Sequence, residues 1–210
     1  MPIQLDEVEA RVLGSLAEKA LTVREQYPLT FNSLLAACNQ KTSREPVMNL
    51  DLDAMGRAVQ SLIDKGLAER VQAPGDRVPK FRHRISVLLG TDDPKITGAF
   101  IVLLLRGPQT PGEIKGRTER LCQFAGTAEV EGLLQELAAR PEPMVARLPR
   151  QAGQKETRFA HLFSGAPVDG GDSAPAAAQP AVPAQPDRLA DLEARVAVLE
   201  AAVAAMKDPA

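Results

Sequence analysis

The apolar positions of the first 66 residues recur with the 3.6-residue period of three amphipathic helices. Their inward faces are predicted to carry Leu5, Val8, Val12, Leu13 and Leu16; Phe31, Leu34, Leu35 and Cys38; and Met55, Val59, Leu62 and Ile63. Thr30 and Asp51 are suitable N-caps for the second and third helices, and Gly66 is suited to end the third. Extended stretches at 67–73 and 78–88 flank a Pro-Gly-Asp turn, which predicts a β-hairpin.

The same order of elements recurs after residue 90. Residues 96–106 predict an apolar helix, Thr110 begins a short helix through Ile114, and Thr127 is expected to cap a third helix. A second hairpin is predicted from residues 144–148 and 158–163. Its sequence Arg-Phe-Ala-His matches Lys-Phe-Arg-His in the first hairpin, which favours duplication of one unit.

This order, three helices and then a hairpin, is that of a winged helix. The predicted fold is therefore mainly α with small β-hairpins, built as two tandem winged-helix domains (residues 1–90 and 91–164).

The composition changes near Gly165. Residues 165–186 are almost entirely Gly, Ala, Pro and small polar residues, which predicts a flexible linker. From 187 to 208, apolar residues alternate at spacings of three and four, the pattern of a short coiled-coil-like helix. We expect one of two outcomes: the stripe forms a homodimer, or the tail frays or packs on its own body. The stripe consists of Leu189, Leu192, Val196, Leu199, Val203 and Met206.

Charge and composition narrow the function classes. The formal net charge is -2, with 22 basic and 20 acidic residues in 1–164 and 3 basic and 7 acidic residues in 165–210. Aromatic residues make up 3% of the chain, which disfavours a base-stacking platform for single strands. The sequence shows neither a long apolar run nor a secretory signal. We therefore expect a soluble cytoplasmic protein that does not enter the membrane.

Catalysis and metal binding find little support. Cys38 and Cys122 lie on apolar segments and predict buried thiols, while His83 and His161 occupy equivalent hairpin positions and predict inward-facing, hydrogen-bonded side chains. These four residues are too scattered to build a zinc site or a nucleophile–base pair. The expectation is a protein with no catalytic residue, metal or cofactor.

Four separated segments resemble the YceH-like family of uncharacterised bacterial proteins. They are ACNQKTSREPVMNL (37–50), RVPKFRHR (77–84), LLLRGPQTPGE (103–113), and RLPR (147–150) taken with HLFSG (161–165). The resemblance covers about residues 3–165 and implies two tandem winged-helix domains. It implies no catalytic residues and no established function.

Duplex DNA is the default partner of a winged helix, whose third helix enters the major groove while the wing touches the backbone. On the outward face of the third helix, Arg57 and Gln60 could read base edges, although Asp53 and Asp64 share that surface. The third helix of the second half is richer in carboxylates, so the second half is expected to pack on the first half or on a partner protein.

The first wing carries the stronger signal for DNA. Lys80, Arg82 and Arg84 alternate, which predicts one cationic strand face, and Arg77 lies at the tip. Such cations would release counterions from DNA and make binding salt-dependent. The alternative is a solvated edge strand, where Lys and Arg prevent edge-to-edge association.

The segment from Asn39 to Asn49 is the most distinctive. It places about ten residues where a helix-turn-helix has ~3–4. One interpretation is a recognition loop for a partner or small ligand. The other is a loop locked by its own polar side chains, with Asn39, Arg44, Glu45 and Asn49 as the structuring residues.

The sequence leaves two functional hypotheses. The first is a non-enzymatic DNA-binding protein, a dimeric transcription regulator that uses the first wing and third helix. The second is a protein–protein interaction scaffold, similar to the small winged-helix subunits of chromosome-condensing complexes. The near-zero charge of residues 1–164 and the long segment 39–49 favour the second.

Overall fold

The computed structural model describes residues 3–75, 77–150 and 156–165, and its architecture is mainly helical with two small antiparallel sheets. The predicted linker beyond Gly165 and the heptad segment 187–208 lie outside the described residues. The homodimer predicted through Leu189, Leu192, Val196, Leu199 and Val203 therefore stays a prediction.

The first half follows the predicted element order. It contains α1 (Glu7–Thr22), a 3₁₀ turn (Arg24–Gln26), β1 (Leu29–Thr30), α2 (Phe31–Cys38), α3 (Leu52–Asp64), β2 (Ala68–Val71), β3 (Lys80–His83) and α4 (Ile85–Leu89). The Thr30 side chain accepts from the Ser33 N–H, and that of Asp51 accepts from the Ala54 N–H, so both predicted caps are confirmed. Gly66 follows α3 with φ +72°, a conformation that glycine adopts without strain.

The predicted extended stretch 78–88 is wrong beyond His83. The chain leaves β3 there and forms α4, because Ile85, Leu88 and Leu89 have helical spacing and all three are buried. A continued strand would have sent alternate residues of this segment to solvent.

The second half repeats the order with shorter strands. It contains α5 (Pro94–Arg106), α6 (Pro111–Thr118), α7 (Thr127–Ala138), β4 (Val145–Arg147) and β5 (Phe159–His161). Helix α6 starts at the predicted place, with Thr110 as its N-cap, but it continues to Thr118 and does not end at Ile114. The predicted Thr127 cap is wrong: Thr127 is the first helical residue of α7, and Gly126, which has no side chain to offer, is the N-cap.

A backbone contact occurs at matching places in the two halves. In the first half, Leu29, just before the α2 cap, pairs with Phe81 of β3. In the second half, Gln109, just before the α6 cap, exchanges two backbone hydrogen bonds with Phe159 of β5. Both phenylalanines are buried. Each hairpin therefore holds the start of the short helix in the same way.

One apolar cluster runs through both halves, and its seam lies between α1 and α5. A Cβ placed on Gly14 would lie 3.0 Å from the Leu105 Cδ2 and 3.2 Å from the Leu104 Cβ, so glycine permits the close approach of the two helices. The Glu45 N–H donates to the Leu105 carbonyl at 2.9 Å, and the Leu5 N–H donates to the Phe163 carbonyl at 2.7 Å. The expectation that the second half packs on the first is confirmed.

We expect Gly14→Val to destabilise the fold by about 1–3 kcal/mol, the usual cost of overpacking a core. The added methyls have no room against Leu104 and Leu105, both buried. The free energy of unfolding from urea titration measures this effect. Gly132→Val on α7 is the matched control, since a Cβ there meets no atom within 4 Å and the change should stay within about 0.5 kcal/mol. Equal losses in the two variants would contradict the close α1–α5 contact.

Candidate nucleic-acid interface

The outer face of the first sheet carries the predicted cations Lys80 and Arg82. In the pairing of β2 with β3, Lys80 lies opposite Val71 and Arg82 lies opposite Glu69. Phe81, between Lys80 and Arg82, is buried on the core side of the sheet. The prediction that Lys80 and Arg82 share a face is confirmed. Arg84 does not extend that face, because β3 ends at His83 and Arg84 is the exposed residue before α4.

The edge-strand interpretation of these cations is wrong. The sheet order is β1–β3–β2, so β3 is the central strand and its backbone is paired on both sides. Lys80 and Arg82 therefore cannot be serving to block edge-to-edge association. Their position on the sheet face needs another explanation, such as solvation or a ligand.

Arg82 is engaged by a carboxylate. Its Nε and Nη2 donate to Glu69 at 2.9–3.0 Å in a bidentate pair directly across the strands. Both side chains are more than a third exposed, so the pair contributes little to stability. It does offset one positive charge on the face where DNA contact was predicted.

Three other arginines of the hairpin have no such partner among the described residues. Within residues 3–75 and 77–150, the side chains of Arg70, Arg77 and Arg84 make no hydrogen bond or ion pair, and all three are exposed. Arg70 was not predicted as a site residue; the β2–β3 register places it opposite Phe81. The signal for it was composition: the segment 68–84 holds five basic and two acidic residues.

Helix α3 presents the two predicted base-reading side chains at the surface. Arg57 and Gln60 are exposed, as is Asp53. The Gln60 Nε2 donates to Asp64 Oδ1 at 2.9 Å along the helix. This exposed bond would have to break before Gln60 could meet a base edge.

The two histidines differ in spite of their matching positions. The His83 Nδ1 accepts from the Ile85 N–H at 3.3 Å, and its ring lies beside Tyr27, so the predicted inward, hydrogen-bonded role is confirmed. The Nδ1 of His161 is buried without a partner among the described residues, so the hydrogen-bonded role is wrong there. Burial lowers the pKa of His161 to about 4, which keeps this ring neutral at pH 7.

The predicted locked loop is borne out at Asn39 and Arg44. We call residues 39–51, which join α2 to α3, the connector. The Asn39 side chain donates to the Leu50 carbonyl at 2.9 Å and accepts from the Leu50 N–H at 2.8 Å, closing the connector like one rung of a sheet. Glu45 and Asn49 are exposed, and their side chains make no hydrogen bond in the part of the chain described.

The side chain of Arg44 extends from the connector into the interior of the protein. Its guanidinium donates to the carbonyls of Ala37 and Ser43 and forms a bidentate pair with Glu18 at 2.7 and 3.3 Å. With 4% of its surface exposed, it cannot contact a partner. Burial acts to raise the pKa of Glu18, but the hydrogen bonds and charge of Arg44, with Lys19, outweigh burial and lower it.

A second buried arginine reaches the connector from α1. Arg11 is 1% exposed and donates to the carbonyls of Cys38 and Pro46 at 3.3 and 2.6 Å. Sequence reasoning missed Arg11 and Glu18 because both lie on a helix whose charged residues were assigned to solvent. The connector backbone is thus held by guanidinium groups from both sides.

The two cysteines differ in how far they are shielded from solvent. Cys38 is buried, as predicted, and burial raises the pKa of its thiol; Cys122 is only half-buried. No three His, Cys, Asp or Glu side chains gather as a metal site among the residues described. In the same part of the chain, no helix has the length and apolarity to cross a membrane.

Comparison with known proteins matches residues 5–154 to the family model described as "Protein of unknown function, DUF480". A UPF0502 protein of Geobacter sulfurreducens is 48% identical over 202 residues, which cover 95% of this chain and 91% of that protein. UPF0502 proteins of Geotalea daltonii and Burkholderia ambifaria are 47% and 44% identical, over 92% and 93% of this chain and 88% and 86% of their own lengths.

We expect Arg44→Ala to destabilise the fold by about 3–5 kcal/mol, because it leaves the half-buried Glu18 carboxylate and the carbonyls of Ala37 and Ser43 without the Arg44 donor. Urea titration at neutral pH measures this loss. Glu45→Ala, one residue along, is the matched control and should change stability by less than about 0.5 kcal/mol. A small effect of Arg44→Ala would contradict a locking role.

The same pair should make stability depend on acid. The folded pKa of Glu18 is below its unfolded value of about 4.3, so its contribution is present above that pH and is lost as pH falls through the folded value. The Arg44→Ala variant should therefore lose less stability than the native chain between about pH 5 and pH 3. An unchanged pH dependence would show that Arg44 does not set the Glu18 pKa.

Proposed function

Since the chain belongs to the DUF480 (UPF0502) family of uncharacterised bacterial proteins, we propose a function from its own surface: a non-enzymatic protein that binds duplex DNA. In this proposal, residues 1–90 and 91–164 are winged-helix domains, and the first makes the DNA contact. A cytoplasmic transcription regulator is the role that fits such a protein. The finer YceH-like designation stays a prediction.

The unpaired cations of the first hairpin carry the proposal. Arg70, Arg77 and Arg84 are exposed and have no partner in the described residues, and Glu69 is the one carboxylate described between 68 and 84. Exposed arginines without carboxylates are suited to phosphate oxygens, which they bind through two parallel hydrogen bonds. A hairpin of this charge favours backbone contact that is independent of base sequence.

Helix α3 would supply sequence discrimination. Arg57 is exposed and has no side-chain partner in the described part of the chain, and an arginine on a groove-facing helix is suited to guanine O6 and N7. The 39–51 connector ahead of α3 is longer than the ordinary helix-turn-helix joint. Its buried arginines fix the start of α3 in spite of that length.

The proposal predicts that Arg77→Ala with Arg84→Ala weakens binding of random-sequence duplex DNA and flattens its salt dependence. Each lost phosphate contact should lower the log–log salt slope by ~0.9, so the double variant should lose about 2. Fluorescence anisotropy at several salt concentrations measures both quantities. Native binding should be micromolar at low salt.

The matched control removes the same charge from the other hairpin. Arg147→Ala with Arg150→Ala changes two exposed arginines and should leave the slope as it is in the native chain. Equal effects in the two double variants would show that net charge alone drives binding. Absence of native binding at low salt would exclude the proposal.

Glu69→Gln should strengthen DNA binding and steepen the salt slope by ~0.9, because it releases Arg82 from its bidentate partner. Glu142→Gln, at an exposed carboxylate in the second half, removes the same charge and serves as the control. If Glu69→Gln left DNA affinity unchanged while the hairpin arginines mattered, Arg82 would lie outside the contact.

A second function, the protein-interaction scaffold, is favoured by one observation. Val47 in the connector and Leu52 at the start of α3 are each 57% exposed, which places two large apolar side chains outward near the α3 start. Arg44, a candidate for partner contact or for structuring the loop, is buried and cannot contact a partner. Replacing Val47 and Leu52 by Ser would abolish partner capture and leave DNA affinity intact if this scaffold function is correct.

A further inference from the structure

Where α1, α5 and α6 meet, a cleft of about 310 Å³ opens to solvent. Glu18 and Ser43 line it from the first half, and Arg106, Arg117 and Arg120 line it from the second. Apolar side chains of α5, among them Ile101 and Leu105, form its floor. An apolar floor with a few polar groups at the rim is the usual composition of a small-molecule site.

The arginines of this cleft have more donors than the protein fills. Arg106 is half-buried and makes no side-chain hydrogen bond or ion pair among the residues described. The Nη1 of Arg117 is buried and has no partner there. Burial lowers the pKa of Arg106, and the positive charges of Arg117 and Arg44 lower it further, while the carboxylates of Glu45 and Glu18 act in the opposite direction; Arg106 stays a cation.

Two of the neighbouring carboxylates, Glu18 and Glu113, are committed to other partners, whereas, among the residues described, Glu45 and Glu119 are not. Glu18 is held by Arg44 at 2.7 Å and by Lys19 at 3.2 Å. Glu113 accepts from the Thr110 N–H at 2.8 Å and pairs with Arg158 at 3.2 Å, which leaves Arg117 at 3.9 Å from it. Glu119 is exposed and makes no ion pair within the described part of the chain.

Unfilled guanidinium donors in a shielded place are costly unless a ligand or water satisfies them. A single carboxylate would leave several of them unfilled, whereas a phosphate monoester brings three strong acceptors and about two negative charges. The apolar floor favours a ligand that carries a hydrocarbon group next to the phosphate. The volume admits a small organic molecule and excludes a duplex.

We propose that this cleft binds a small phosphate monoester with an apolar body, held by Arg106 and Arg117. The Ser43 hydroxyl, from the connector, is within the same lining and supplies one more polar group. The site spans the α1–α5 seam, so its ligand bridges the two halves. This inference stands apart from the DNA contact, which lies on α3 and the first hairpin.

Phenyl phosphate is the probe that tests it, measured with the full chain by isothermal titration calorimetry. We expect a dissociation constant near or below about 1 mM, at least tenfold weaker in Arg106→Gln and in Arg117→Gln. Phenol, which lacks the phosphate, should not bind, and inorganic phosphate and benzoate should each bind more weakly than phenyl phosphate. Inorganic phosphate binding as well as phenyl phosphate would overturn the apolar part of the proposal.

Arg77→Gln is the charge-matched control, since it removes one exposed arginine outside the cleft, and it should bind phenyl phosphate like the native chain. If the control lost as much affinity for phenyl phosphate as the cleft variants, the proposal of a specific site would be overturned. So would absence of native binding, or tight binding of phenol. These outcomes are independent of DNA affinity, so the two proposals can fail separately.

Thermal unfolding separates a binding role from a structural one. Because Arg106 has no partner in the described residues, the unfolding temperature of Arg106→Gln should equal or exceed that of the native chain. Phenyl phosphate should raise the unfolding temperature of the native chain and leave that of the variant unchanged. A variant that melts well below the native chain would assign Arg106 to the fold and overturn its role as a ligand-binding residue.

Discussion

A guanidinium is costly to bury unless acceptors meet most of its donors, and the two that are buried among the described residues decide how the chain passes from α2 to α3. Arg11 and Arg44 donate hydrogen bonds to carbonyls at the end of α2 and in the connector, and Arg44 also pairs with the Glu18 carboxylate. The connector has few apolar residues of its own to bury. Its shape follows from satisfying these donors, and the orientation of α3 depends on that shape.

The second constraint is the contact of α1 with α5. Gly14 lets the two helices approach each other closely. The Glu45 N–H donates to the Leu105 carbonyl, which lies in the last turn of α5 and has no acceptor role within the helix. The connector is thereby tied to the second half as well as to the first. A ligand at the seam would act on the same segment that positions α3, which gives the cleft a physical route to the proposed DNA surface.

Local signals in the sequence predicted much of this architecture. Thr30, Asp51 and Thr110 act within three residues of their own position, so the helix starts they predict need no knowledge of the rest of the fold. The end of β3 was harder, because residues 85–89 hold their helical form by burying Ile85, Leu88 and Leu89 in the core, beside α5. Tertiary packing there overrides a pattern that also suits a strand.

Charged residues were the least predictable part of the candidate site. Arg82 and Arg84 look equivalent in the sequence, yet the β2–β3 register places Glu69 opposite only the first. Nothing in the sequence around Arg44 indicates its partner, because Glu18 lies 26 positions away along the chain. Whether a cation is neutralised depends on residues far along the chain, so a count of charges per segment cannot separate structural arginines from available ones.

The backbone pairing of Leu29 with Phe81, and of Gln109 with Phe159, bears on how the two halves came to differ. Main-chain groups make both contacts, so they do not select the side chain: an apolar residue occupies one position and an amide the other. A duplicated unit tethered in this way can exchange most of its surface residues while its frame stays intact. One copy could therefore have become acidic on its third helix while the other kept a cationic hairpin, with no change in architecture.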